Sequence, residues 1–340
     1  MRAVAINDQQ GVSFLDAVPV PVPGAGQLLV EVITCGICGG DPKFPGYLKA
    51  GTILGHEFLG RVVTLGDGVT DFTIGERVVG LPAQACGTCV WCLTGEQVQC
   101  AQFKMVGQDV TGGYAEYLVV DAQSMCHVPG EVSDRQAGLM EPLSIGAKVF
   151  EECRVAMGDK LLIIGAGPIG LAVLIWAVAG GVDTIVVSDV KPARRELALK
   201  LGATDVLDPA ATSLEDYFDN TYGSRPEVIC ECAGFPGILD QAIKLAPLRG
   251  RVVSAGLHFG EETITQLIPH VKNPTLVWAS WYAKRHWRHA LTMTAQGRID
   301  PTPMLTDVIA LEDVPATFEA LGKPNDFGKI LIDPHQAPAR

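Results

Sequence analysis

The sequence has few basic residues relative to its acidic ones. Its 340 residues include 26 Lys and Arg against 38 Asp and Glu, which gives a formal net charge of −12 at pH 7. Nucleic-acid-binding proteins usually present a basic face to phosphate groups, and anionic membrane surfaces attract basic segments. The acidic balance therefore argues against both kinds of partner, and we interpret it as favouring solubility.

The sequence also lacks a long apolar segment. Its longest apolar run, Ile169–Ala179, is shorter than the roughly 20 residues of a membrane-spanning helix. Residues 1–10 alternate like a strand and lack the apolar core of a signal peptide. We therefore expect a cytoplasmic protein. No internal repeat, low-complexity tract or long linker interrupts the chain, and its length predicts about two domains.

Two patterns of secondary structure follow each other along the chain. Residues 1–140 contain short apolar runs broken by Gly and Pro, which predict a β-barrel or sandwich. After about residue 150, apolar strands alternate with helical segments, which predicts a doubly wound parallel sheet. The predicted strands of this sheet are Lys160–Gly165, Thr184–Asp189, Glu227–Ala233, Arg251–Leu257 and Thr275–Ser280. A last strand, Gly328–Pro334, is predicted to return to the first domain.

A glycine-rich turn follows the first strand of the second pattern. Gly165, Gly167 and Gly170 have the spacing G-x-G-x-x-G, with Pro168 and Ile169 between the last two. Such a turn, placed between a strand and a helix, lets the backbone approach a pyrophosphate at the helix amino terminus. Asp189 ends the next strand, where its carboxylate would bind the adenosine ribose and favour NAD over NADP. Arg194 and Arg195 leave NADP open, because either could pair with a 2′-phosphate.

Four of the ten cysteines are closely spaced. Cys86, Cys89, Cys92 and Cys100 form the pattern C-x2-C-x2-C-x7-C, within a predicted lobe at residues 84–102. Four thiolates can complete a tetrahedral shell around one zinc ion, and this spacing in a protein expected to be cytoplasmic favours metal over disulfides. A shell with no open position predicts a structural zinc. An iron–sulfur cluster is the alternative metal site.

A second set of metal-binding side chains is scattered. Cys38 precedes Asp41, His56 and Glu57 lie together, and Glu141 follows far along the chain. One thiolate, one imidazole and one carboxylate suit a catalytic zinc with an open coordination position. Asp41 would accept a hydrogen bond from the ring of His56 and fix its tautomer. Spacing alone does not show that these residues converge.

These motifs together resemble the zinc-containing medium-chain alcohol dehydrogenase family, in particular its sorbitol and polyol dehydrogenase branch. The resemblance covers nearly the whole chain. It is strongest at GHEFLGRVVTLGDGV (Gly55–Val69) and includes IGERVV (Ile74–Val79), the four-cysteine lobe and MEPLSIGAKV (Met140–Val149). The family pattern implies a zinc-dependent transfer of hydride between a secondary alcohol or polyol and NAD, reversible with the ketone and NADH.

The resemblance implies an α/β protein with a GroES-like β-barrel catalytic domain and a doubly wound Rossmann domain. The catalytic domain would span residues 1–145 and 290–340, and the NAD-binding domain residues 146–289. Two zinc ions per chain are expected, and the catalytic one would be bound by Cys38, His56 and either Glu57 or Glu141. The carboxylate that does not bind zinc would hold its water ligand, or the two glutamates would exchange during turnover. Family cofactor positions correspond to Ile169, Asp189, Arg194, Gly256, Leu257, Ala279 and Ser280. Members are homodimers or homotetramers.

The sequence departs from the family pattern beside Cys38. Many members have Ser or Thr two residues after this cysteine, and His two residues after the following Asp, whereas this chain has Gly40 and Lys43. The usual hydroxyl-to-histidine proton relay is therefore absent. We expect the proton to leave through water held by Glu141, with Lys43 or Tyr47 taking part, or Lys43 to bind an anionic group of the substrate. A solvated Lys43 without function is an equal alternative.

Other interpretations remain open at the level of sequence. A zinc-free enone or quinone reductase on the same fold would leave Cys38 and His56 without a metal. A non-enzymatic zinc-binding interaction module would account for the four cysteines alone. Four aromatic residues, Trp278, Trp281, Tyr282 and Trp287, are predicted to line an apolar pocket or to pack in a core or subunit interface.

Overall fold

The computed structural model describes residues 1–323 and 327–338, and the chain forms two compact units. Unit 1 consists of Met1–Glu141, Tyr282–Gly297 and Leu305–Arg340, and unit 2 consists of Pro142–Trp281 and Arg298–Met304. The predicted division differs from these units at residues 142–145, 282–289 and 298–304. Residues 282–289 belong to unit 1 because their side chains bond to it: Lys284 donates to the carbonyl of Gln123 at 2.7 Å.

Seventeen strands and ten α-helices make up the regular structure of the described residues. The strands are β1 (Ala3–Ile6), β2 (Val12–Leu15), β3 (Gln27–Gly36), β4 (Glu57–Leu65), β5 (Arg77–Gly80), β6 (Ala83–Gln84), β7 (Lys104–Met105), β8 (Tyr117–Asp121), β9 (Met125–His127), β10 (Lys160–Ile164), β11 (Thr184–Ser188), β12 (Asp205–Leu207), β13 (Val228–Glu231), β14 (Arg251–Ser254), β15 (Thr275–Trp278), β16 (Leu305–Ala310) and β17 (Lys329–Asp333). The helices are α1 (Val90–Leu93), α2 (Asp134–Ala137), α3 (Met140–Cys153), α4 (Pro168–Ala179), α5 (Pro192–Lys200), α6 (Leu214–Tyr222), α7 (Ile238–Leu245), α8 (Leu267–Lys272), α9 (Lys284–Ala295) and α10 (Val314–Leu321).

Unit 1 is built around a largely antiparallel sheet. Its strands follow the order β16, β17, β3, β4, β5 and β9, and β8 pairs with β3. The last strand of the chain, β17, pairs with β3 at Leu331 and Ile332, which confirms the predicted return of the carboxyl-terminal segment. Inward-facing residues of β1, β3, β4 and β8 form one buried apolar core with α10. This core holds the ends of β3 and β4, where the predicted zinc ligands lie.

Unit 2 is the predicted doubly wound sheet. Six parallel strands follow the order β12, β11, β10, β13, β14 and β15. The inner strands are mostly apolar and are buried beyond their first residues, as expected for a sheet that helices cover on both faces. The strand order reverses at β10, and ligands of such sheets bind at the carboxyl ends of the strands near this point.

Helix α4 shows this arrangement most clearly. It begins at Pro168, directly after the turn that ends β10, and eight of its twelve residues are buried. The indole of Trp176 donates a hydrogen bond to the carbonyl of Leu143 at 2.7 Å, which fixes α4 against α3. Among residues 1–323 and 327–338, no helix combines the length and apolar character needed to cross a membrane.

Candidate metal and cofactor sites

The four closely spaced cysteines converge in unit 1. The sulfur atoms of Cys86, Cys89, Cys92 and Cys100 all lie within 4.8 Å of one another, around the short helix α1. The sulfur of Cys92 is 3.8 Å from that of Cys86 and 3.5 Å from that of Cys89. Tetrahedral zinc–sulfur bonds of about 2.3 Å imply sulfur atoms about 3.8 Å apart. The cluster therefore fits one zinc ion with four thiolate ligands.

Backbone amides around this cluster favour thiolates. Cys86 accepts a hydrogen bond from the amide of Cys89 at 3.4 Å, and Cys100 accepts one from the amide of Gln102 at 3.3 Å. Hydrogen bonds from Thr88 and Cys89 lower the pKa of Cys86 to about 6, whereas burial and the neighbouring thiols raise that of Cys92. Four crowded sulfur atoms cannot all ionise without a cation, so the geometry favours bound metal.

Cys38, Asp41 and His56 form the second group of possible metal ligands in unit 1, within 4.8 Å of one another. Cys38 follows β3, and His56 immediately precedes β4, which pairs with β3. Asp41 is fully buried and lies 3.8 Å from Nδ1 of His56 through its Oδ1 atom. Its Oδ2 atom accepts hydrogen bonds from the amide of Cys38 at 2.9 Å and the hydroxyl of Tyr114 at 2.5 Å. Asp41 therefore adjoins His56, but 3.8 Å is longer than the hydrogen bond that the sequence predicts.

The two candidate glutamates stand outside this group of three and have different partners. Glu57 forms an ion pair with Lys329, and both side chains are buried. The ammonium of Lys329 also donates to the carbonyl of Ile37 at 2.9 Å. Glu141, in the first turn of α3, instead accepts a hydrogen bond on Oε1 from Tyr282 at 2.6 Å. A lysine therefore already neutralises Glu57, whereas the partner of Glu141 is a neutral hydroxyl.

Three carboxylates are buried in this region of unit 1. Asp41, Glu57 and Glu141 are all at most 6% exposed, and the ammonium of Lys329 pairs with Glu57. Burial and the charge of Glu57 raise the pKa of Glu141 to about 7. Buried carboxylates need cationic partners or metal ions, so the donor set fits a divalent cation beside Cys38 and His56.

The protonation of His56 reflects the same surroundings. Burial lowers its pKa, but the hydrogen bond with Cys38 and the negative charges of Asp41, Cys38 and Glu141 outweigh burial and raise it to about 10. A metal ion would replace the ring proton in this negatively charged environment, since zinc binds neutral imidazole.

Three residues of the predicted relay region lie on or beside a short 3-10 helix, Asp41–Gly46. A Cβ atom at Gly40 would lie 3.8 Å from the sulfur of Cys38, so this position adjoins the candidate ligand. The side chains of Lys43 and Tyr47 are exposed. No short contact joins Lys43 to the group of Cys38, Asp41 and His56 among the described residues.

The four aromatic residues of the predicted cluster are divided between the two units. Tyr282 and Trp287 are buried in unit 1, with ring centroids 5.9 Å apart. Trp278 and Trp281 belong to unit 2 and are 66% and 40% exposed. Trp278 ends β15, and Tyr282 lies just before α9, so neighbouring positions in the sequence are divided between the two units.

The glycine-rich turn of unit 2 has the geometry of a phosphate-binding loop. Gly165 has φ of +98°, which lets the chain turn sharply from β10 toward α4. A Cβ atom at Gly170 would lie 1.9 Å from the carbonyl oxygen of Gly165, so only glycine fits there. A Cβ atom at Gly167 would meet nothing within 4 Å. Open space at the start of a twelve-residue helix fits a pyrophosphate.

Asp189 is fixed beside this turn. Its Oδ2 atom accepts a hydrogen bond from the amide of Ala166, and its Oδ1 atom accepts one from the amide of Lys191, both at 2.8 Å. Arg194 lies 4.0 Å from Oδ2 of Asp189. Arg195 donates to the carbonyl oxygen of Asp189 at 2.7 Å and pairs with Asp208 at 3.2 Å. The carboxylate is thus held at the carboxyl end of β11, where it would accept hydrogen bonds from a ribose.

The remaining predicted cofactor positions lie at the carboxyl ends of the next strands. Gly256 and Leu257 follow β14, and Ala279 and Ser280 follow β15. Buried Glu231 organises the neighbouring loop, since its Oε1 atom accepts hydrogen bonds from Ala233 at 2.7 Å and Gly234 at 2.8 Å. The carbonyl of Glu231 also accepts the amide of Gly256 at 2.9 Å.

Several residues that organise these sites were not identified from the sequence. Lys329, Tyr114 and Glu231 carry no motif of their own, and Tyr282 was considered only as an aromatic residue. Lys329 and Tyr114 lie far in sequence from the carboxylates that they contact, Glu57 and Asp41. Glu231 instead accepts hydrogen bonds from the loop that follows it. The sequence offers a signal for Lys329 alone, because a lysine that begins the apolar strand β17 is an unusual residue for a buried position.

Comparison with known proteins agrees with this geometry. The family model for the alcohol dehydrogenase GroES-like domain matches residues 24–130, and the model for the zinc-binding dehydrogenase matches residues 168–296. An L-threonine 3-dehydrogenase of Bacillus velezensis is 30% identical, with 98% of this chain and 99% of the relative covered. A 2-dehydro-3-deoxy-L-galactonate 5-dehydrogenase of Pseudoalteromonas atlantica is 32% identical, with 92% of each covered. A sorbitol dehydrogenase of Bacillus subtilis is 27% identical, with 99% of this chain and 98% of the relative covered.

Solved structures show the same fold over the whole chain. The alcohol dehydrogenase RspB of Escherichia coli CFT073, complexed with NADH, has a TM-score of 0.90 and 27% identity, covering 98% of this chain and 99% of that one. A zinc-binding dehydrogenase from Sinorhizobium meliloti 1021, bound to NADP, has a TM-score of 0.88 and 28% identity over the same shares.

A GroES-like unit with two clusters of metal-binding side chains, joined to a Rossmann unit, defines a zinc-dependent medium-chain dehydrogenase. The chain belongs to the zinc-containing medium-chain alcohol dehydrogenase family. It is an alcohol or polyol oxidoreductase that uses zinc and a nicotinamide cofactor. The zinc-free reductase and the non-enzymatic zinc module are therefore not supported.

Proposed function

We propose that this enzyme oxidises a secondary alcohol group of a polyol or hydroxy acid with NAD+, and reduces the matching ketone with NADH. The observation that carries the proposal is the convergence of Cys38 and His56 beside three buried carboxylates in unit 1. That donor set leaves a coordination position for substrate, which a structural site such as the four-cysteine cluster lacks. Two zinc ions per chain follow from the two clusters.

Glu141, rather than Glu57, is proposed as the carboxylate that serves the catalytic zinc. Lys329 already pairs with Glu57, whereas Glu141 has one oxygen engaged by Tyr282 and charge interactions with His56. Asp41, whose Oδ1 atom lies 3.8 Å from Nδ1 of His56, would orient the ring when zinc is bound. Bound zinc would polarise the alcohol oxygen as a Lewis acid, and the nicotinamide would accept the hydride.

The route of the alcohol proton is proposed to avoid the position of Gly40, which has no hydroxyl. Lys43 and Tyr47 lie on the same short segment and are exposed to solvent, so either side chain can exchange a proton with water. Lys43 can instead bind a carboxylate of the substrate. A Lys43→Ala variant tests both ideas, because a relay alters the pH profile of kcat and an anion site raises KM for acidic substrates. Unchanged kinetics at every pH would exclude both.

The proposed dinucleotide is NAD. Asp189 would accept hydrogen bonds from the ribose hydroxyls, and its negative charge would repel a 2′-phosphate. Arg195 is engaged by the carbonyl of Asp189 and by Asp208, which leaves Arg194 as the nearest cation for a 2′-phosphate. We expect kcat/KM for NAD+ to exceed that for NADP+ at least tenfold. An Asp189→Ala variant should narrow the difference.

The substrate class is proposed from the relatives. Their names specify L-threonine, sorbitol and an L-galactonate derivative, which are all hydroxylated chains that carry a secondary alcohol. Two of these three substrates are acids, which fits an exposed Lys43 near Cys38 in sequence. We therefore place hydroxy acids beside neutral polyols as candidate substrates.

A homo-oligomer is proposed from the surface of unit 2. Strand β15 forms one end of the parallel sheet and ends at Trp278, which is 66% exposed. Leu267 and Val271 of α8 are also exposed apolar residues of this unit. An edge strand with apolar neighbours is suited to pairing with a second copy of the chain. We further propose that the enzyme acts in the cytoplasm, where reduced cysteines are available to bind zinc.

The activity itself is tested by following NADH formation with a panel of substrates. The panel contains sorbitol, 2,3-butanediol, L-threonine and L-galactonate, each offered with NAD+ and with NADP+. Activity should be highest with one hydroxylated substrate and NAD+, and a chelator should abolish it until zinc is restored. Activity with enones that resists the chelator would contradict the proposal and favour a zinc-free reductase.

A further inference from the structure

A buried tyrosine contacts one of the two candidate glutamates. Tyr282 is 3% exposed, and its hydroxyl donates a hydrogen bond to Oε1 of Glu141 at 2.6 Å. The phenolic hydroxyl of tyrosine is an uncharged hydrogen-bond donor. A hydrogen bond from a neutral donor to a buried carboxylate orients that group without cancelling its charge.

The protein holds this tyrosine firmly. Its ring packs against Trp287, and the following residue, Ala283, donates its backbone amide to Nδ1 of His286 at 2.9 Å at the start of α9. Glu141 lies in the first turn of the fourteen-residue helix α3. Donor and acceptor are therefore each fixed by the beginning of a helix, and their mutual geometry does not depend on a mobile loop.

We propose that Tyr282 is a positioning residue for the catalytic metal. Its hydroxyl fixes Oε1 of Glu141, which leaves Oε2 as the oxygen directed to the metal beside Cys38 and His56. This inference rests on the proposed function, in which Glu141 serves the catalytic zinc. It goes further by assigning the two oxygens of Glu141 to different partners, and by giving Tyr282 a function that its packing alone does not require.

The test replaces only the hydroxyl. Tyr282→Phe retains the ring against Trp287, and Tyr222→Phe is the matched control, because Tyr222 donates to Oδ2 of Asp205 at 2.8 Å in unit 2. Cobalt(II) exchanged into the catalytic site reports metal affinity and ligand arrangement through its visible absorption. Tyr282→Phe should weaken cobalt binding about 10- to 100-fold and shift the spectrum, as outer-sphere variants do. Tyr222→Phe should change neither.

A Glu141→Ala variant separates the two levels of the proposal. If it binds cobalt with wild-type affinity and spectrum, Glu141 does not serve the metal, and the proposed ligand assignment fails together with this inference. If Glu141→Ala loses cobalt affinity while Tyr282→Phe behaves like wild type, only the function of Tyr282 is overturned. NADH binding by unit 2 shows in each case that the variant is folded.

A measurement on the unchanged protein avoids any dependence on variants. In a crystal structure of the zinc-loaded enzyme, we expect the hydroxyl of Tyr282 within hydrogen-bond distance of one oxygen of Glu141, with the other oxygen facing zinc. A zinc-loaded structure in which Glu141 has left Tyr282, or in which both its oxygens face away from the metal, would overturn the proposal.

Discussion

Among single residues, Lys329 has the most demanding environment. It lies in β17, is 2% exposed, and pairs with buried Glu57 while Asp41 and Glu141 lie in the same region of unit 1. Burial lowers its pKa, but the charges of Glu57 and Cys38 outweigh burial and raise it. The lysine therefore remains charged and offsets part of the negative charge that the metal ligands bring into the core.

Replacing Lys329 by Met should destabilise the metal-free protein by about 3 kcal/mol, because Glu57 would become a buried charge without a partner. The free energy of unfolding in urea, measured with a chelator present, checks this expectation. The double variant Glu57→Gln/Lys329→Met should recover at least half of the loss. A Lys329→Met variant as stable as the wild type would show that the pair does not support unit 1.

Local spacing and family motifs identify the residues that the structure brings together. Cys86 and Cys100 are fourteen positions apart, and the sulfur atoms of their four-cysteine pattern lie within 4.8 Å of one another. Asp41 was predicted to accept a hydrogen bond from His56, and the structure places the two side chains 3.8 Å apart. Lys329 and Tyr282 could not be predicted, because only the folded sheet and α9 bring them to Glu57 and Glu141.

Among the elements, the start of α4 depends on two glycines for different reasons. Gly170 is required by packing, since a Cβ atom would overlap the carbonyl oxygen of Gly165, whereas Gly167 faces open space. The sequence motif identifies both glycines but does not separate their functions. The structure separates them, because one side of the turn faces protein and the other faces the expected pyrophosphate.

Ala substitutions at these two positions should therefore differ in their effect on stability. Gly167→Ala should have the same urea midpoint of unfolding as the wild type. It should bind NADH at least tenfold more weakly, because its methyl group would occupy the space of the phosphate. Gly170→Ala should lose stability as well as NADH affinity, because the clash forces α4 to shift. Fluorescence titration with NADH and urea unfolding measure the two effects. Equal behaviour of the variants would contradict the assignment.

The four-cysteine lobe is a second element whose order we attribute to a ligand. Helix α1 has only four residues, all of them exposed or half-buried, so apolar burial contributes little to its stability. A Cys100→Ser variant should lose the structural zinc and become sensitive to protease within residues 86–102. Cys153→Ser, a change at a buried cysteine of α3 outside both metal groups, is the control and should remain resistant. Mass analysis of the first cleavage products locates the site.

For the whole molecule, the order of elements was predictable and the division into units was less so. Short apolar runs broken by Gly and Pro distinguished the largely antiparallel unit 1 from the parallel unit 2, in which strands alternate with helices. The last strand was correctly predicted to belong to unit 1. The segment Tyr282–Gly297 was assigned differently, because its helix follows the parallel sheet in sequence but bonds to unit 1. Sequence order alone does not reveal such a return.

The proposed assembly can also be tested on the whole molecule. Trp278 ends the edge strand β15 and is exposed, so Trp278→Lys should place a charge in the proposed interface. Sedimentation velocity should show an oligomer for the wild type and a shift toward monomer for the variant. Trp91→Lys, at an exposed tryptophan of the cysteine lobe, serves as the control. A wild-type monomer at micromolar concentration would contradict the proposed assembly.

Elemental analysis of the purified protein checks whether unit 1 binds two zinc ions with different functions, as we propose. We expect two zinc ions per chain in the wild type and about one in Cys38→Ser, which should be inactive yet folded. Cys100→Ser should also retain about one, with lowered stability. One zinc ion per chain in both the wild type and an equally active Cys38→Ser variant would overturn the proposal, because Cys38 and His56 would then bind no catalytic metal.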